Sequence, residues 1–369
     1  LNFFVVPALL SAGYHAFALL GGIRKLRERT PTLPFTPPVS ILKPVRGSDE
    51  RFAAAIASHA VQNYPEYEIL FGISESNDSA RAEIEQLMRS RPDRAIRIFV
   101  VSPDCSNAAP NAKVGVLEEL AAQARFPFLL VNDSDIVVEP DYLASVTAPL
   151  RDERIGLVTC LYRGAGGSFA TRSEALGIAT EFAPSVLVAR QAGVREFAMG
   201  STLVFRARDL EQLGGFAAIR DYLADDYQLG KRLTQSGLGV VLGRPVVETW
   251  LGAGGWRGVW RHQLRWSRTI RVSNTGGYFG YAITHTVPWC ILAAVAGNWA
   301  AAGACYAVRV CAGLFIAGFV MRDYRSVKMW WWMPMRDLFG LGVWLAGLSG
   351  NRVEWRGRDL TIDGTGRIL

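Results

Sequence analysis

The chain has 369 residues, half of them apolar and only a fifth charged, the opposite of the low hydropathy and high charge that keep chains disordered. Its 40 Lys+Arg against 33 Asp+Glu give a formal charge of +7, which suits an anionic membrane surface, a nucleic acid or a phosphorylated ligand without choosing among them. Five cysteines form no CxxC pair and four histidines show no metal-ligand spacing, so neither a disulfide framework nor a zinc site is indicated. All eleven tryptophans lie between Trp250 and Trp355, so the composition changes sharply along the chain.

Residues 1–23 hold no Asp, Glu, Lys or Arg, and about 20 apolar residues suffice to cross a bilayer core as a helix. The stretch predicts an N-terminal transmembrane helix. Arg24, Lys25, Arg27 and Arg29 follow it, which places the next part of the chain in the cytosol by the positive-inside rule; a cleaved signal peptide would carry its basic region first. Residues 24–38 read as a basic, proline-rich linker. From 39 to 250 a cytosolic α/β domain is expected. Apolar β-rich runs recur at 39–42, 67–73, 96–101, 128–131, 156–159 and 202–205, with helical patterns at 50–62, 80–89 and 113–124. Such alternation predicts a mostly parallel sheet whose ligands bind beyond the carboxyl ends of its strands. No GxGxxG or GKS/GKT follows the first run, which removes the main support for a dinucleotide fold or a nucleoside triphosphatase.

Three of the expected strands close in polar loops: Lys43-Pro44, Ser74 to Asp78, and Asn132 to Asp135. Asp133 and Asp135 offer hard oxygen ligands to Mg2+ or Mn2+, because neighbouring ionised carboxylates repel unless a cation compensates; a solvated turn is the plainer alternative. Asp225-Asp226 reads either as an acidic pair favoured by a helix N-terminus or as a functional pair, with Asp226 the general base and Asp225 orienting the loop.

Within 251–280, the arginines at 257, 261, 265, 268 and 271 share one helical face beside Trp256 and Trp260. This predicts an interfacial helix with its arginines toward lipid phosphate or a nucleotide diphosphate, and not toward nucleic acid. In 281–350, segments 281–301 and 304–321 are expected to cross as a hairpin, Arg309 snorkelling or facing protein. Segment 329–349, which contains Arg336 and Asp337, reads as interfacial or re-entrant. The tail, 351–369, returns to the cytosol. Phe182 to Ala189 reads as an apolar contact segment or as plain core.

DSD after an apolar strand, then ADDY, then QLRW resemble the D, D, D, (Q/R)xxRW pattern of family 2 type glycosyltransferases. VSILKPVRG, the NAK of Asn111 to Lys113, DSDI, GLVTCLY, FAMGSTLVFR, LGGFAAIRDYLADDYQLG, HQLRW and VEWRGR are similar, in order, to landmarks of the ceramide glucosyltransferase family, family 21. Bacterial hopanoid-lipid glycosyltransferases share this pattern. The resemblance implies a GT-A, Rossmann-like nucleotide-diphospho-sugar transferase domain flanked by N- and C-terminal transmembrane helices, as a multi-pass protein of the inner (cytoplasmic) membrane. It further implies a UDP-sugar donor and a ceramide or hopanoid acceptor, with inversion at the anomeric carbon. Lys43, Lys113 and the Glu75 to Asp78 loop would meet the nucleotide-sugar, either Glu75 or Asp78 filling the first acidic position. Asp133 and Asp135 would hold Mg2+ or Mn2+ on the diphosphate, Asp226 would be the base, and Arg265 and Trp266 would complete the catalytic site. His262 stands where the pattern has Gln or Arg; neutral imidazole donates one hydrogen bond but lacks a fixed guanidinium charge. Two other readings are a processive polysaccharide synthase, which needs more crossings to build a channel, and a non-catalytic membrane scaffold, which leaves the acidic loops unexplained.

Overall fold

The computed structural model describes residues 3–28, 35–101, 109–355 and 358–369. Cys105, residues 29–34 of the linker and Arg356 lie outside the described residues. The chain divides into two compact units: residues 29–162, 195–250 and 367–369 make one, and residues 1–28, 163–194 and 251–366 the other.

The first unit is built on a sheet of β1 (Val39–Val45), β2 (Tyr67–Ile73), β3 (Ala95–Val100), β4 (Phe128–Val131), β5 (Ile155–Ala165), β6 (Leu203–Arg206) and β7 (Gly239–Trp250), in the order β3-β2-β1-β4-β6-β5-β7. Every residue of β1, β2 and β4 is buried, as expected of near-continuous apolar strands covered on both faces. Leu42, Leu70 and Val131 pack with Val116, Leu120 and Phe205 in the core. A side chain at Gly72 would stand 2.5 Å from Val116, so this glycine sets how closely the helix Ala112–Ala122 approaches β2.

The parallel arrangement holds for β1 with β2 and β4, and for β2 with β3. It stops at β6, which runs antiparallel to β4 with Val131 opposite Leu203, and β5 is antiparallel to β6. The sheet is therefore mixed. Reversal at β6 has a consequence for chemistry: the residues that enter β6, Met199 to Thr202, lie beside those that leave β4, Asn132 and Asp133.

In the second unit, Phe3–Leu26 and Trp299–Val320 are long and apolar enough to cross a membrane. Small buried residues, Ala8, Ala302 and Cys305 among them, let their backbones approach. Ser11 and His15 both hydrogen-bond the Thr286 hydroxyl, at 2.9 and 2.8 Å. Over the expected crossing at 281–301 lie two helical pieces, Thr275–Thr284 and Thr286–Val295, bent by 54°. Pro288 accounts for the break, since in a continuous helix its ring would meet the carbonyl of Thr284.

Arg309 faces protein. It is fully buried and donates to Asp337 Oδ1 at 2.8 Å and to the Thr180 carbonyl at 2.9 Å. The helix Met333–Gly347 also brings in Arg336, which pairs with Glu181 at 3.1 Å and donates to Gln263 Oε1 at 2.7 Å. A short hairpin of β8 (Arg352–Trp355) and β9 (Arg358–Thr361) follows. It changes the reading of the arginine stripe on the helix Trp256–Ser273. Arg261 is paired with Glu354 at 2.9 Å, Arg268 donates to the carbonyls of Ser349 and Arg352, and Arg271 donates to Gly350 O and Asn351 Oδ1 at 2.8 and 2.7 Å. Three of the five expected phosphate-binding arginines are thus engaged by the chain's own C-terminal segment.

Candidate active site

Lys43, Lys113, Asp133, Asp135, Asp225 and Asp226 gather at the carboxyl ends of β1 and β4. Lys43, fully buried on β1, donates to the Asp133 carbonyl at 3.2 Å. Burial pushes this amine down to about 7, against the opposing pull of Asp135 and Asp133. Lys113 sits in the first turn of Ala112–Ala122, which Asn111 caps by accepting from the Lys113 and Val114 amides. Its ammonium lies 2.8 Å from Asp133 and 3.3 Å from Asp225. Burial opposes its charge, but the two carboxylates outweigh that and hold its pKa above the ordinary lysine value.

Asp225 and Asp226 open the helix Asp225–Gln235, where the positive end of the dipole favours them. Both sequence-level roles are therefore compatible with their place. Asp226 accepts from the Gly200 amide at 2.7 Å and from the Tyr227 amide at 2.7 Å. Burial, and then the Asp225 carboxylate, push Asp226 up to about 6. Gly200 is the hinge of this arrangement: a Cβ there would sit 3.4 Å from both Asp133 Oδ2 and Asp226 Oδ2.

Asp135 accepts from the Thr249 hydroxyl and from the Trp250 amide, the latter at 3.2 Å, and its pKa is raised by burial and then by Asp133. Four carboxylates thus face two lysine ammonium groups, and this excess of hard anionic oxygen fits a divalent cation. Among the described residues no cluster of three or more His, Cys, Asp or Glu could hold a metal. Two aspartates would have to share the ion with ligand oxygens, the usual arrangement for Mg2+ on a diphosphate.

The other expected residues are placed differently. Asp78 accepts from the Gly47 amide at 3.0 Å and from the Ala80 amide at 2.9 Å, tying the turn after β1 to the start of Ala80–Ser90, while Glu75 is exposed. His262, Arg265 and Trp266 belong to the helix Trp256–Ser273 of the second unit. There, His262 Nδ1 is 2.7 Å from Glu174 Oε1, the Trp266 ring is 4.6 Å from the imidazole, and Phe182 is 6.3 Å from Trp266.

Sequence reasoning passed over several supporting groups: Gly200, Thr249, Glu174, and the buried set beneath Asp133. In that set His59 Nε2 is 3.1 Å from Asn132 Oδ1, and Asn132 donates to Tyr142 Oη at 3.0 Å and to the Ser201 carbonyl at 2.6 Å. Burial, then Lys43, pushes His59 down to about 3, so it serves as a neutral buttress. The FAMG segment before β6 was the one signal that could have found Gly200.

A mixed sheet with an acidic edge of this kind is the GT-A glycosyltransferase fold. It is shared with the mannosyltransferase PcManGT from Pyrobaculum calidifontis, solved in complex with GDP-Man and Mn2+, at a TM-score of 0.55 and 18% identity over 94% of this chain and 99% of that one. The family model described as Glycosyl transferase family 21 matches residues 3–368, and the chain belongs to that family. Ceramide glucosyltransferase 1 of Caenorhabditis elegans is 27% identical over 225 residues, 60% of this chain and 47% of the relative. Ceramide glucosyltransferase 3 of the same organism is 26% identical over 227 residues, 60% of this chain and 48% of the relative. The chain spans about half the length of the curated relatives it matches.

Proposed function

We propose that this chain is an inverting, UDP-sugar-dependent hexosyltransferase that adds glucose or N-acetylglucosamine to a hydroxyl of a membrane lipid, a ceramide or a hopanoid. On this reading it is a multi-pass protein of the cytoplasmic membrane with the sheet-bearing unit in the cytosol. The observation that carries the reading is the convergence of Lys43, Lys113, Asp133, Asp135, Asp225 and Asp226 at the ends of β1 and β4. Membership of family 21, relatives named ceramide glucosyltransferases and two helices long enough to cross a bilayer support it.

In this mechanism Asp226 takes the proton from the lipid hydroxyl as its oxygen forms a bond to the anomeric carbon and the bond from that carbon to UDP breaks. Backbone amides of Gly200 and Tyr227 hold the carboxylate in place for the transfer. Lys113 offsets charge at Asp133 and Asp225, and Asp135 is fixed by Thr249. Asp133 and Asp135 would hold Mg2+ or Mn2+, which when bound would offset the negative charge growing on the UDP leaving group.

The test is turnover by the full chain in lipid nanodiscs with Mn2+, mixed membrane lipids and either UDP-glucose or UDP-N-acetylglucosamine. Release of UDP together with a lipid heavier by one sugar is expected. If no UDP-sugar is consumed under these conditions, the reading is wrong.

A further inference from the structure

Glu174 is almost completely buried, its side chain only 3% exposed, whereas His262 retains 32%. Its helix, Phe169–Gly177, is fixed by a reciprocal cap in which Ser168 Oγ accepts from the Thr171 amide at 3.2 Å and the Thr171 hydroxyl accepts from the Ser168 amide at 3.1 Å. Glu174 therefore stands one turn inside a rigid element. His262 Nδ1, at 2.7 Å, is the one hydrogen-bond partner of this carboxylate among the described residues.

A carboxylate accepts and does not donate, so Nδ1 must carry the proton. Nε2 has no partner among the described residues, on a side chain that is 32% exposed. In the neutral ring this tautomer leaves the lone pair on Nε2. Trp266, 4.6 Å away and tilted at 54°, flanks the ring, with Phe182 beyond it at 6.3 Å. A fixed acceptor atom beside aromatic faces suits a ligand that is apolar on one side and carries a hydroxyl on the other.

We infer that Glu174 is a positioning residue: it locks His262 so that Nε2 accepts a hydrogen bond from a substrate hydroxyl, on either the sugar or the lipid. The inference rests on the transferase reading and adds to it a residue and a tautomer. Glu174 acts only through His262, and the chemistry at Asp226 does not depend on it.

The experiment is a double-substitution cycle on the full chain in nanodiscs, measuring KM separately for the UDP-sugar and for the lipid. Glu174→Gln leaves a side chain that can also donate to Nδ1 and so no longer enforces the tautomer. It is expected to raise one KM about fivefold to tenfold, with the affinity for UDP alone, read by calorimetry with Mn2+, unchanged. Whichever KM moves identifies the source of the hydroxyl. In a His262→Gln background, where the amide oxygen accepts without help, Glu174→Gln should cost nothing further. His262→Arg, which can only donate, should be worse than His262→Gln, and this pair carries the test if Glu174→Gln does not fold. An equal penalty for Glu174→Gln in both backgrounds, or equal activity of His262→Arg and His262→Gln, overturns the inference. A wild type that turns over no UDP-sugar overturns the transferase reading and this inference with it, whereas a wild type that turns over normally and is indifferent to these substitutions overturns the inference alone.

Discussion

Asp226→Asn removes the proton acceptor at nearly constant side-chain size; the Gly200 amide donates to Oδ2 and the Tyr227 amide to Oδ1, at 2.7 Å each, so the amide side chain keeps one of these two bonds. A positioned general base is worth about 10²- to 10⁴-fold, so kcat should fall by that factor with little change in affinity for UDP. The titration of the same group gives a second, independent measure. Its folded pKa is raised to about 6 and the basic form is the active one, so kcat must rise with pH through that value. Going from pH 7 to pH 5 should take the ionised fraction from about nine-tenths to about one-tenth, roughly a tenfold loss for one titrating group. Asp225, the second cause of the raised value, is separable: Asp225→Asn removes a neighbouring negative charge and should move the acid limb to lower pH. Single-turnover rates of UDP release between pH 4.5 and 8 provide the assay. A wild-type rate flat from pH 5 to 7, or an Asp226→Asn protein with more than about a tenth of wild-type kcat, would refute the assignment of Asp226 as base.

Gly200→Ala would place a methyl at ordinary contact distance, 3.4 Å, from both Asp133 Oδ2 and Asp226 Oδ2; the melting temperature should hold while turnover falls at least tenfold, and parallel loss of both would point to a folding defect instead. Arg309→Met strips Asp337 of its fully buried partner at 2.8 Å, at a cost of about 3–5 kcal/mol in stability; a second change, Asp337→Leu, should recover much of it, as read by thermal unfolding in detergent. His59, neutral in the folded chain down to about pH 3, can take up a proton after unfolding below about pH 6.5. Folding stability should therefore be complete above that value and decline as pH falls toward 3, by at most about 1.4 kcal/mol per unit from this residue. His59→Gln should flatten that part of the pH–stability curve, and an unchanged slope would exclude His59 as its source.

Much of the sheet was legible because parallel strands covered on both faces read as unbroken apolar runs, and β1, β2 and β4 do so. The acidic loops were legible for the same reason, since polar residues that stop an apolar run stand where strands emerge. Strand direction leaves no such mark. FAMGSTLVFR reads as an apolar run whichever way it pairs, so nothing local announced that β6 would run against β4 and carry Gly200 to Asp133 and Asp226. The NAK motif marked Lys113 through resemblance alone; its burial follows from the two carboxylates it meets, one from each of two distant segments. Glu174 was hidden, because its partner His262 lies 88 positions away.

The +7 charge and the crowded tryptophans invited a single explanation in which arginine and indole both meet the membrane. The structure divides them. Arg261, Arg268 and Arg271 bind the segment from Ser349 to Glu354, so much of the arginine stripe organises the chain itself. The indoles are less committed: Trp256, Trp299, Trp330 and Trp331 are between 41% and 73% exposed. An exposed indole with an apolar body and one N–H is suited to the headgroup region of a bilayer. Interfacial contact in this unit therefore fits aromatic surface better than charge, and in the first unit the buried Lys43 and Lys113 are set against Asp133 and Asp225.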